Sequence, residues 1–117
     1  MNIINIIKEL DYKIKGSGYT PTDIKWLTLS YGDWSEQKVT VPPTEGIKGY
    51  YKAKELYKNT NYNKDYGSQK LDGIVVFNDN SWLERWEYDG SEGWDFKQTP
   101  QIENYLRRYN ENIITIR

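Results

Sequence analysis

The stretch from Ser81 to Trp94, SWLERWEYDGSEGW, holds three tryptophans, one tyrosine, four carboxylates and one arginine. Trp82 to Tyr88 alternates bulky and charged side chains in a run rich in strand formers, so it reads as a β-strand. Asp89-Gly90-Ser91-Glu92 supplies turn chemistry, and Gly93 to Lys97 resumes as a second strand. Upstream, Gly73-Ile74-Val75-Val76-Phe77 is a third strand, closed by the turn formers Asn78-Asp79-Asn80. The three together predict an antiparallel meander near residues 71–98.

Strand alternation sorts the side chains of this ribbon. Trp82, Glu84, Trp86 and Tyr88 share one face; Leu83, Arg85 and Glu87 share the other. Neither face is purely apolar, whereas a plain half-buried strand separates the classes cleanly. Glu84 lies between two tryptophans and needs water, a cation or a partner, because a buried unpaired carboxylate is costly. Arg85 is expected to pair with Glu87 or to stack on an aromatic ring.

Outward from the ribbon the signals are shorter. Ile3, Ile6, Ile7 and Leu10 recur at helical spacing and predict an amphipathic helix over residues 2–10, with Asn2 as its cap. Gly16-Ser17-Gly18 interrupts the chain. Ile24 to Tyr31 reads as a strand with Leu27, Leu29 and Tyr31 on one face and Trp26, Thr28 and Ser30 on the other. A short strand is expected from Gln37 to Val41, ending at Pro42-Pro43. Residues 44–70, rich in Tyr, Lys and Asn, read as a long loop with a short helix from Tyr50 to Tyr57. After the ribbon, Thr99 suits a helix N-cap and Pro100 a first helical position. Ile102, Tyr105, Leu106 and Tyr109 would form the apolar stripe of a C-terminal helix, Arg107 and Arg108 would complement its dipole, and Ile113 to Ile116 would add an edge strand. The order of elements predicts an α+β fold, an antiparallel sheet packed with short N-terminal and C-terminal helices, as one domain over residues 1–117.

Composition narrows the chemistry. The 117 residues are only 37% hydrophobic but 15% aromatic, and aromatic side chains bury enough area to build a core in a polar chain with a mean hydropathy of -0.90. Sixteen basic and seventeen acidic residues leave a net charge of -1, which lacks the footprint of a generic DNA binder. There is no cysteine and no histidine. Disulfides, thiolate metal sites and cysteine nucleophiles are thereby excluded, and so is the histidine base of most triads. No cofactor is implied. The N-terminal MNIINIIKEL lacks a basic region ahead of an apolar core, and no apolar run reaches the roughly 20 residues needed to span a bilayer. The expectation is a cytoplasmic protein with no membrane partner.

The candidate site residues are Trp82, Arg85, Trp86, Glu87, Tyr88, Asp89 and Trp94. Trp, Tyr and Arg are the types enriched at interface hot spots, and they also stack on nucleobases. The same residues packed beneath a helix would be ordinary core. Glu84, Glu87, Asp89 and Glu92 admit a carboxylate hydrolase, although Asp89 and Glu92 flank a Gly-Ser turn that accounts for them. Their spacing does not match a calcium loop, and Gly16-Ser17-Gly18 lacks the lysine and spacing of a phosphate loop.

The pattern W-x-x-R-x-E-Y-D-G-S-E-x-W followed by P-x-I is carried by Trp82, Arg85, Glu87, Tyr88, Asp89, Gly90, Ser91, Glu92, Trp94, Pro100 and Ile102. It resembles a motif of small uncharacterised bacteriophage and prophage proteins, over about residues 71–102. Those proteins often have Asp-Gly-Ser-Trp at the preceding turn, where this chain has Asp79-Asn80-Ser81-Trp82; Asn also tolerates positive φ. The resemblance implies a context, since small accessory phage proteins are often inhibitors of bacterial defence. The first expectation is therefore a non-enzymatic binder of a host defence effector protein, such as a CRISPR component. The alternative is a sponge for a nucleotide immune signal, with Arg85, Arg107 or Arg108 meeting phosphates; a homodimer with pockets between subunits would favour it. The third is the carboxylate hydrolase.

Overall fold

The computed structural model describes residues 3–33, 38–103 and 105–106. The elements run in the order β1 (Ile3–Asn5), α1 (Ile6–Gly16), a 3-10 turn (Pro21–Asp23), β2 (Ile24–Tyr31), β3 (Val39–Glu45), α2 (Ile47–Tyr57), β4 (Asn61–Asn63), β5 (Leu71–Phe77), β6 (Trp82–Tyr88) and β7 (Ser91–Lys97). Two antiparallel sheets result: a small β1-β4 pair, and a five-stranded sheet in the order β3-β2-β5-β6-β7.

The predicted meander is present as β5-β6-β7, and both of its turns have local causes. Asn80 holds φ 67 at the first. There the Asp79 carboxylate accepts from the Ser81 N–H at 2.9 Å and from Tyr19 Oη at 2.5 Å. At the second, Asp89 and Gly90 have φ 49 and 88, the two positive values that a tight hairpin turn requires.

α1 and α2 both lie inside the chain order, and neither is C-terminal. α1 starts at Ile6 rather than residue 2, because residues 3–5 pair with β4. Asn5, not Asn2, is the cap: its side-chain oxygen accepts from the N–H groups of Ile7 and Lys8 at 2.9 and 3.1 Å. Ile6, Ile7, Leu10 and Ile14 form the buried stripe, while Ile3 is exposed. Residues 44–70 are not a long loop. They hold α2, β4 and a turn segment, and α2 presses on the sheet through Gly49, where a Cβ would come within 3.0 Å of the Leu27 side chain.

β3 runs through Pro42-Pro43 to Glu45 instead of stopping at the prolines. It tolerates them because it is an edge strand and because the pairing shifts there, from Leu29↔Val41 to Leu27↔Thr44. Thr28 donates to the Val41 carbonyl at 2.7 Å across this bulge. After β7, residues 102, 103, 105 and 106 are helical, with Ile102, Tyr105 and Leu106 exposed. None of these three side chains belongs to the buried core, where the sequence predicted an apolar stripe packed on the sheet. Arg107, Arg108, Tyr109, the strand predicted from Ile113 to Ile116, and the start of the strand predicted at Gln37 lie outside them.

The core sits between the helices and one face of the sheet. It gathers Ile6, Leu10 and Ile14 from α1, Tyr50, Ala53 and Tyr57 from α2, and Leu27, Leu29, Leu71, Val75, Phe77 and Leu83 from the strands. Tyr19 stacks on Phe77 with ring centroids 4.1 Å apart.

Candidate functional site

The two faces of the aromatic hairpin have opposite fates. On the inner face, Arg85 is sealed in, with its side chain fully buried. Its guanidinium donates to Glu92 Oε1 at 2.7 Å, to Glu9 Oε1 at 3.3 Å, to Tyr62 Oη at 2.9 Å and to the Leu71 carbonyl at 3.1 Å. It also lies over the Trp94 ring, 5.0 Å from the centroid, and 5.7 Å from that of Tyr62. Glu92 in turn accepts from the backbone N–H groups of Lys70 and Leu71 at 2.8 and 3.0 Å, and Tyr62 donates to Glu9 at 2.5 Å. Burial raises the Tyr62 hydroxyl above the ordinary tyrosine range; the nearby guanidinium opposes this and Glu9 reinforces it.

This network joins α1, β4, the segment before β5, β6 and β7. Its chemistry explains why an arginine stands at that place: one planar cation can bind two carboxylates, a phenol and a carbonyl in fixed directions. Arg85 is thus tied up by its own chain and turns no donor outward. Its partners are Glu9 and Glu92, not Glu87, and the expected ring contact is with Trp94 and Tyr62. Trp94 is 6% exposed. Its indole N–H is buried with no hydrogen-bond partner among the described residues. Sequence reasoning missed Glu9 and Tyr62 because they lie more than fifty positions apart on separate elements; the buried role of Glu92 was hidden by its place in a turn.

The outer face is different. The registers align Glu45, Trp26, Val76, Trp82 and Lys97 in one row across all five strands. A second row runs Thr28, Ile74, Glu84, Asp95. Trp26, Ile74, Val76 and Trp82 are half-buried, and neither α1 nor α2 covers them, since both pack on the opposite face. Trp86 is 42% exposed and lies against Gly93, whose absent Cβ would meet the indole at 2.9 Å. Gly93 is therefore the seat of the Trp86 ring.

Charges frame the aromatic strip. Lys97 pairs with Glu84 at 2.6 Å, and that contact raises the lysine above its ordinary value. Asp72 and Asp95 are exposed on the same face, so carboxylates outnumber the ammonium. Tyr88, 78% exposed, stands at the hairpin tip beside exposed Glu87 and Asp89. A cleft of about 190 Å³ opens at the β7 edge, lined by Tyr12, Lys13, Lys64, Trp86, Gly93 and Trp94 among others.

The structure thus brings Trp82 and Trp86 together on an open face, places Glu87, Tyr88 and Asp89 at its end, and takes Arg85 and Trp94 inside. Trp26, Ile74 and Val76 belong with the first group. Alternation in β2 had put Trp26 on the face away from Leu27, but only the sheet order reveals that it shares a row with Trp82. No three His, Cys, Asp or Glu side chains among the described residues converge as a metal site would require. No helix among them is long and apolar enough to cross a membrane.

These features define an antiparallel sheet backed on one face by α1 and α2, with an aromatic strip on the other. No family model, curated protein or solved structure matches the chain.

Proposed function

We propose that the protein is a non-enzymatic binding module that docks a protein partner on the outer face of its five-stranded sheet. The observation that supports this reading is the row Trp26-Val76-Trp82 with Trp86 and Ile74 beside it, on the face opposite the one where α1 and α2 pack. Tryptophans held rigidly by neighbouring strands lose little entropy on binding and suit the centre of an interface. The acid-biased rim of Asp72, Glu84, Asp95 and Glu45 suits a basic partner, such as a nucleic-acid-handling effector. Together with the resemblance to phage accessory proteins, this makes a bacterial defence effector the first class of partner to test, and inhibition of that effector the activity.

The experiment is a phage-protection assay in cells carrying defined defence systems, paired with binding measurements on the system that responds. Trp86→Ala, on an exposed ring, keeps the fold and weakens binding by roughly thirty-fold, the effect of losing a hot-spot residue of about 2 kcal/mol. Affinity also falls with added salt. Full protection and unchanged affinity in Trp86→Ala and Trp82→Ala would remove this face from the function.

A further inference from the structure

We infer that the chain pairs with a second copy of itself through the edge of β7 left unpaired among the described residues, about a two-fold axis at Phe96. Of the two edges of the five-stranded sheet, β3 is blunted by Pro42-Pro43 and its bulge. β7 is not. Its hydrogen-bonding direction follows from the hairpin: Glu92 turns its N–H away from β6, to the Lys64 carbonyl at 2.7 Å. Backbone groups alternate along a strand, so Trp94 and Phe96 also direct their N–H and C=O away from β6. Among the described residues nothing bonds to them. An unpaired edge of this kind accepts another strand.

The side chains on this edge are self-complementary. In an antiparallel pairing centred on Phe96, Asp95 of one copy stands opposite Lys97 of the other, and the relation repeats across the axis. Each ammonium then lies between Glu84 of its own copy, already 2.6 Å away, and Asp95 of the second copy. Phe96 meets Phe96, and Trp94 meets Gln98. Shifting the axis to Asp95 would instead oppose two carboxylates, which disfavours that register. The ladder has natural ends: the Glu92 N–H is occupied by Lys64 at one, and Pro100 has no N–H to offer at the other.

Edge-to-edge antiparallel pairing keeps like faces on one side. The two aromatic faces would then form one continuous surface, and the dimer would present every outer-face residue twice. This inference does not depend on what that face binds.

The test uses the full chain in sedimentation equilibrium over a concentration series, with melting curves to confirm folding. The wild type is expected to dimerise. Asp95→Lys opposes lysines across the axis, and Lys97→Asp opposes aspartates, so each variant alone self-associates at least about tenfold more weakly. Mixed together, the two variants restore both opposite-charge pairs and form a heterodimer. A wild type that stays monomeric, a single variant that dimerises as tightly as wild type, or a mixture with no heterodimer would overturn the inference.

Discussion

Replacing Arg85 with Met removes the cation that pairs with both Glu9 and Glu92 in a buried cluster. The Glu92 side chain is 2% exposed and that of Glu9 is 11%. Glu92 keeps its two backbone donors from Lys70 and Leu71, and Glu9 keeps the Tyr62 hydroxyl. Among the described residues neither keeps an ion-pair partner, and the Leu71 carbonyl is left with Gln69 Nε2, at 3.0 Å, as its side-chain donor. Breaking a buried ion pair from one side costs about 3–5 kcal/mol, because the remaining charge is left uncompensated. For a domain of this size the same loss lowers the midpoint of thermal unfolding by roughly 12–20 °C. Urea denaturation of wild type and Arg85→Met measures it directly. A second variant separates stranded charge from lost packing: adding Glu9→Gln to Arg85→Met is expected to recover about 1 kcal/mol or more, whereas Glu9→Gln alone destabilises. That non-additivity is the signature of direct coupling. A loss below about 1 kcal/mol for Arg85→Met would refute the view that the guanidinium organises the interior, and would reopen a role for it at the surface.

Two further outcomes follow from the geometry. Gly73 has φ 152, and a Cβ there would lie 2.3 Å from the Thr28 carbonyl oxygen and 2.8 Å from the Leu29 side chain; Gly73→Ala is expected to force β5 away from β2 and cost about 2–4 kcal/mol in denaturant unfolding. Burial raises the hydroxyls of Tyr50, Tyr57 and Tyr62 above the ordinary value of 10.0, Tyr57 to about 12. Below pH 10 the folded and unfolded chains both hold these protons. Between about pH 10 and 12 the unfolded chain releases them first, so each such tyrosine lowers stability by about 1.4 kcal/mol per pH unit over that range. Stability measured across alkaline pH should fall in this window, and Tyr57→Phe should reduce the slope; a flat profile would contradict the buried placement of these phenols.

The meander was legible in the sequence because its signals are local. Asp89-Gly90 permits few turns other than the one it makes, Asn80 accepts the positive φ asked of it, and the alternation from Trp82 to Tyr88 assigns each side chain to a face. The segment from residue 44 to 70 was harder. α2 has lysines and tyrosines where a clean amphipathic stripe would show leucines, and its helix forms because Tyr50, Ala53 and Tyr57 find the sheet. β1 and β4 are three residues each, too short for a periodic pattern, and exist only because they pair with one another across 56 to 60 positions of chain.

The site divides along the same line. By itself the sequence determined that Arg85 and Trp86 point to opposite sides, since the pleat of a strand enforces a period of two. Which side faces solvent was decided by tertiary structure. α1 and α2 both pack against the side of Leu27, Leu29 and Leu83, and that single choice buries Arg85 between Glu9 and Glu92 and leaves Trp82 in a row with Trp26. Strand order and ion pairing are long-range properties, set by which surfaces gain most from leaving water together, and no local pattern around Arg85 or Trp26 carries that information.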